Sequence, residues 1–117
     1  AHDQTFAAVS HVPHLLAFAQ MNGLLQQPEG EAFLKLAGPG FRDFSRIAAG
    51  DPAVWRDIFS ANRSQVLAQL GQFQSALNAL QQSIENNDLQ ALHRLIDQAS
   101  QARSNWRLSS GDDSETN

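Results

Sequence analysis

Between Val66 and Ile84 the chain places an apolar residue at Val66, Leu70, Phe73, Leu77, Leu80 and Ile84, with spacings of 4, 3, 4, 3 and 4. That period fits one stripe of a helix and cannot be worn by a strand, whose side chains alternate every second residue. Elsewhere, too, only helical periods occur, so the expected fold class is all-α. Asp51-Pro52 reads as a helix start, with Asp as cap and Pro where a missing donor costs nothing. The helix it opens is expected to run unbroken from Pro52 to about Glu85, and Asn86-Asn87-Asp88 then turns the chain. A last helix, Asp88 to about Arg107, carries Leu89, Leu92, Ile96, Ala99 and Trp106, so the pair is expected to form an antiparallel hairpin. Two readings of the seam stand side by side. It is an intrachain core, or part of it packs on something outside the chain. The second gains weight from length, because 34 helical residues span about 50 Å at 1.5 Å each, against a radius of gyration of about 14 Å for a domain this size.

The N-terminal third holds a second constraint. Apolar and small residues from Phe6 to Met21 predict a helix to about Gln26, interrupted by Pro13, which has no N–H for the Val9 carbonyl and crowds it. A kink at residues 9–13 with a free backbone acceptor is expected. Short helical segments follow at 31–37 and 41–49, separated by Gln27-Pro28-Glu29-Gly30 and Gly38-Pro39-Gly40. With 117 residues the chain suits one domain, read as residues 1–107, with 108–117 as a disordered acidic tail or linker. Its start, Ala1-His2-Asp3 with no Met, suggests a piece of a longer protein.

Charge and composition narrow the function. The net charge is −4, without a basic stripe to displace counterions, which argues against nucleic acid as a partner. No apolar run is long enough for a membrane span. There is no Cys, which excludes disulfide and thiolate chemistry and agrees with a cytoplasmic location. His2, His11 and His14 share the first helix, and at 100° per residue His2, Ser10 and His14 lie toward one face, with His11 turned away from Ser10. A metal is not expected, since His2 and His14 lie about 18 Å apart along the axis. That face is then a solvated surface or a hydrogen-bonding one. Arg42 and Arg46, one turn apart beyond Gly38-Pro39-Gly40, offer two guanidinium forks to a carboxylate or phosphate. The competing reading is a surface Asp43–Arg46 pair. Trp55 is a third candidate, though such a ring is usually core. No G-x-G-x-x-G nucleotide fingerprint and no P-loop occurs.

Two blocks carry a family resemblance. His2-Asp3 … Ala7 … Ser10-His11-Val12-Pro13-His14 … Ala17 resembles the H-D-x-x-x-A-x-x-S-H-L-P-H-x-x-A signature of prephenate dehydrogenases, with Val12 for Leu. The block from Ala37 to Trp55 resembles their A-G-G-G-F-[KR]-D-[FM]-[ST]-R-I-A-x-S-D-P-x-M-W, with Pro39 for the middle Gly and Gly50 for Ser. The resemblance implies a helical dimerisation domain of the 6-phosphogluconate dehydrogenase C-terminal type, a long helix plus an antiparallel hairpin. It implies an NAD- or NADP-dependent oxidative decarboxylation of prephenate to 4-hydroxyphenylpyruvate, or of arogenate to tyrosine. It places the nucleotide and the proton acceptor on a Rossmann domain outside this chain, so no catalytic residue, cofactor site or unaided activity is expected here. The substrate-binding residues it implies are His2, Ser10, His14, Asp43, Arg46 and Trp55: Arg46 as carboxylate clamp, Ser10 and His14 as hydrogen-bonding groups, Trp55 as pocket wall, and His2 and Asp43 at the cleft and its dimer edge. The partner implied is a second copy of the chain. The alternative is a non-enzymatic helical module.

Overall fold

The computed structural model describes residues 2–109, with side chains through Trp106. All regular elements among these residues are helical, as the periods require: α1 (His2–Phe6), α2 (Val12–Leu25), α3 (Gly30–Lys35), α4 (Pro39–Ser45), α5 (Pro52–Ala61), α6 (Arg63–Glu85) and α7 (Leu89–Ser109), with a π turn at Ala7–His11 and a 3₁₀ turn at Arg46–Ala49. The chain divides into two compact units, one ending at Phe73 and the other starting at Gln74.

In the first unit the predicted kink takes the form of a π turn. The Val12 N–H donates to the Ala7 carbonyl, five residues back, just before Pro13, which has no N–H to give. Ala7, Val12 and Ala17 are buried, and Val66 of α6, 4% exposed, is buried with them. Pro13, Leu16 and Phe73 wall a common cleft, so the early part of α6 covers the kinked helix. Pro39 sits at the first position of α4 behind an extended Gly38, so the proline that departs from the family signature costs the helix no hydrogen bond. Asp51 caps α5 as expected, its Oδ2 accepting from the Val54 N–H at 2.9 Å.

One expectation fails here. The helix opened at Pro52 does not run on to Glu85 but breaks at Asn62, whose φ of −113° and ψ of 34° leave the helical region. The cause is tertiary: the Asn62 side-chain amide donates to the Asp3 carbonyl at 2.8 Å, tying this joint to α1. The 23 residues of α6 span about 35 Å, so helix length does not point to a partner.

In the second unit, α6 ends in a Schellman turn. Asp88 N–H donates to the Ser83 carbonyl at 2.8 Å and Asn87 N–H to the Ile84 carbonyl at 3.1 Å, with Asn87 at φ 50°. Asp88 then caps α7, its Oδ1 accepting from the Ala91 N–H. Ser83 is buried and Leu80, Ala91, Leu92 and Leu95 are half-buried. Leu77, Ile84, Leu89 and Ile96 remain 50–65% exposed. The seam is thus core at Val66 and exposed at Leu77 and Ile84. Helix α7 continues to Ser109; the rest of the acidic tail, 110–117, lies outside the described residues.

Candidate functional site

The π turn and the α5 cap together place a set of rings. Asp51 and Pro52 start α5 so that Trp55 comes one turn later, its N–H bonded to the Asp51 carbonyl. The indole stacks on the His14 imidazole, centroids 3.7 Å apart and planes 18° apart. Phe59, one turn further on, lies 5.7 Å from the indole, and Phe18 meets both rings edge-on at 6.4 and 6.3 Å. Such tilted and offset contacts suit the ring quadrupoles. Phe18, Met21, Ala48, Gly50, Trp55 and Phe59 wall a cavity of about 410 Å³. A neighbouring cavity of about 430 Å³ shares Met21 and Ala48 and adds Phe41, Arg42 and Ser45.

Hydrogen bonding assigns both histidine tautomers. His14 Nδ1 lies 2.8 Å from the Ser10 carbonyl oxygen. A carbonyl only accepts, so Nδ1 carries the proton and Nε2 is the nitrogen left for other partners. His11 is the reverse. The amide orientation of Asn62 is set by its bond to the Asp3 carbonyl, so its Nδ2–H donates to His11 Nδ1 at 3.2 Å, and the neutral ring holds its proton on Nε2. Ser10 therefore meets His14 through its backbone and not its hydroxyl.

Of the six residues singled out from the sequence, Ser10, His14 and Trp55 come together. His2 is exposed and packs its ring toward Phe6 at 6.0 Å. Asp43 on α4 and Arg46 at the head of the 3₁₀ turn are both exposed. They are not paired with each other: the salt bridge found among the described residues joins Arg56 and Asp57. Arg46 thus keeps its guanidinium uncommitted two residues before Ala48, a wall of both cavities. His11, which a 100° wheel turns away from Ser10, also lies at this site. The π turn advances each residue by less than 100°, and His11 approaches the Trp55 edge at 6.3 Å. Asn62, Phe18 and Phe59 were not singled out either; the aromatic spacing Trp55…Phe59 at i, i+4 was their one available signal.

Gly50, where the family signature has Ser, lies against the indole. A Cβ on Gly50 would lie 2.7 Å from Trp55 Nε1 and 2.8 Å from its Cδ1. The backbone there, φ −70° and ψ 161°, is ordinary extended chain that any residue adopts. In this chain the indole occupies the space a side chain at position 50 would take, while the backbone conformation makes no demand for glycine.

A family model described as "Prephenate dehydrogenase, dimerization domain" matches residues 1–98. The chain belongs to the prephenate dehydrogenase family. The cyclohexadienyl dehydrogenase of Zymomonas mobilis is 32% identical over 90 residues, which are 74% of this chain and 30% of that protein. The prephenate dehydrogenase of Bacillus subtilis is 29% identical over 103 residues, 87% of this chain and 28% of that one. Among solved structures, prephenate dehydrogenase from A. aeolicus in complex with hydroxyphenyl propionate and NAD+ superposes with a TM-score of 0.81 at 38% identity, covering 89% of this chain and 37% of that one. Synechocystis arogenate dehydrogenase gives 0.82 at 30% identity, over 90% and 39%. The chain thus spans about 30% of the length of its curated relatives and aligns with the dimerisation portion of the prephenate dehydrogenase family. Among the described residues no group of three or more His, Asp or Glu is arranged to hold a metal, and no helix is long and apolar enough to cross a membrane.

Proposed function

We propose that this chain is the substrate-binding and dimerisation portion of a cytoplasmic, NAD- or NADP-dependent prephenate dehydrogenase of tyrosine biosynthesis. The observation that carries the reading is the stack of His14 on Trp55, two residues of the family signature, with the Ser10 carbonyl at the His14 Nδ1 and an aromatic-walled cavity against the indole. Prephenate is a ring bearing two carboxylates. In this reading the aromatic wall takes the ring, His14 Nε2 and the Ser10 hydroxyl hydrogen-bond the substrate, and the unpaired Arg46 fork clamps a carboxylate. His2 and Asp43 stand at the edge of the cleft.

NAD or NADP accepts the hydride when bound. In this reading the cofactor is held by a Rossmann domain outside this chain, since the described residues are helical and offer no strand-to-helix Gly-rich turn. Their work is to bind and orient. The exposed apolar residues of α6 and α7 support a homodimer, with Leu77, Ile84, Leu89 and Ile96 on the contact.

Arg46→Ala in the full-length enzyme tests the substrate reading. Loss of a charge-assisted contact should cost about 2–4 kcal/mol, roughly 30- to 1,000-fold in kcat/KM, mostly as a raised KM for prephenate. The KM for the nicotinamide cofactor should hold, and Arg46→Lys should restore activity only in part. A prephenate KM within about twofold of wild type overturns the reading. A second substrate reading, preference for arogenate, is favoured by the likeness to the Synechocystis arogenate dehydrogenase. Comparing kcat/KM for the two substrates decides between them.

A further inference from the structure

We propose that Gly50 and Trp55 are positioning residues for His14, and that they act by fixing which of its ring nitrogens is offered to the substrate. The inference rests on the substrate reading for its purpose, but its geometry is independent of it. A neutral histidine side chain in water prefers its proton on Nε2; His14 is held in the opposite form, with Nδ1–H on the Ser10 carbonyl at 2.8 Å. That bond requires the ring to stay in one orientation about its side-chain torsions. A backbone acceptor on one edge does not stop the ring from swinging off. The indole does, lying against the whole imidazole face at 3.7 Å.

The indole is in turn held on three sides. Phe59 and Phe18 back it, and Gly50 lies against the Nε1–Cδ1 edge so closely that no Cβ fits. With the indole where it stands, a side chain at position 50 requires that ring to shift, and since Phe59, Phe18 and His14 pack against it a shift is expected to disturb the stack on His14. Because the Gly50 backbone is in an ordinary extended conformation, Gly50→Ala adds no backbone strain and reports on the indole contact alone. The chain carries its own control. His11 also touches the indole, at 6.3 Å edge-on, but its tautomer is set from the other side by Asn62.

The test reads the tautomers directly, by ¹⁵N chemical shifts of the imidazole nitrogens in the 117-residue chain at about pH 8.5, above the ordinary imidazole range. Wild type should show His14 as Nδ1–H and His11 as Nε2–H. Trp55→Ala and Gly50→Ala should each move the His14 tautomer ratio toward Nε2–H by roughly two- to twelvefold, the factor that corresponds to losing one aromatic pair. His11 should not change. Trp55→Phe, which keeps a flat ring, should recover most of the His14 signal. If Gly50→Ala fails to fold, the Trp55→Ala and Trp55→Phe comparison carries the test alone. An unchanged His14 ratio in Trp55→Ala overturns the proposal, as does His14 found as Nε2–H in wild type. So does His11 moving in step with His14, because Trp55 would then be no more than a core plug. The measurement is made without substrate, so an enzyme inactive on prephenate would defeat the functional reading while leaving this result intact.

Discussion

Replacing Asn62 by Ala should loosen the joint between α5 and α6 and release His11. The magnitude follows from two hydrogen bonds. The Asn62 amide donates to the Asp3 carbonyl at 2.8 Å and to His11 Nδ1 at 3.2 Å, and each such bond contributes about 0.5–1.5 kcal/mol net. Against this stands the better helix propensity of Ala, worth at most about 0.7 kcal/mol in a helix interior and less at a residue with φ −113° and ψ 34°. The net loss should be about 1–2 kcal/mol. For a chain of this length that lowers Tm by about 4–8 °C, at roughly 2.1 cal/mol/K of unfolding entropy per residue. Urea denaturation should show a lower midpoint with an unchanged slope, at a fixed protein concentration because a dimer is stabilised by mass action. Asn62→Asp sharpens the test. It keeps the shape, but a carboxylate only accepts, so the bond to the Asp3 carbonyl becomes a contact of two acceptors and His11 keeps a partner only by moving its proton to Nδ1. It should be at least as destabilising as Ala above the imidazole range. Stability of Asn62→Ala within about 0.3 kcal/mol of wild type, or a fully stable Asn62→Asp, would refute the reasoning.

Two further outcomes are expected. The chain should sediment as a dimer at tens of micromolar, with a total buried area above roughly 2,000 Å², and Ile84→Asp, at a side chain 64% exposed in the single chain, should give monomers without unfolding it; a dimeric Ile84→Asp would place the contact elsewhere. Asp51→Ala should cost about 1 kcal/mol through loss of the Val54 N–H cap, read by thermal denaturation, whereas Asp57→Ala should cost under about 0.5 kcal/mol because its pair with Arg56 is exposed.

Local chemistry explains what could be read along the chain. The helical class, the start at Asp51-Pro52, the break before Pro13 and the turn at Asn86-Asn87-Asp88 depend on residues within one or two turns of each other, so periodicity, capping and missing donors reveal them. Ser10, His14 and Trp55 were legible too, through two spaced blocks, and Asp51-Pro52 explains why Trp55 sits one turn into a helix. Other features depend on contacts between distant residues. Nothing near Asn62 marks it as a helix break, because its partners Asp3 and His11 lie 59 and 51 residues earlier. The π turn defeats a 100° wheel, so the place of His11 beside Trp55 could not be computed from spacing. Gly50 follows no turn rule, since its backbone is ordinary and its constraint is the volume of an indole five residues on. The heptad seam looks uniform from Val66 to Ile84, yet its early end is core and its later end is exposed. Periodicity reports that a stripe is apolar; which surface covers it depends on where the rest of the chain, or a second chain, is packed.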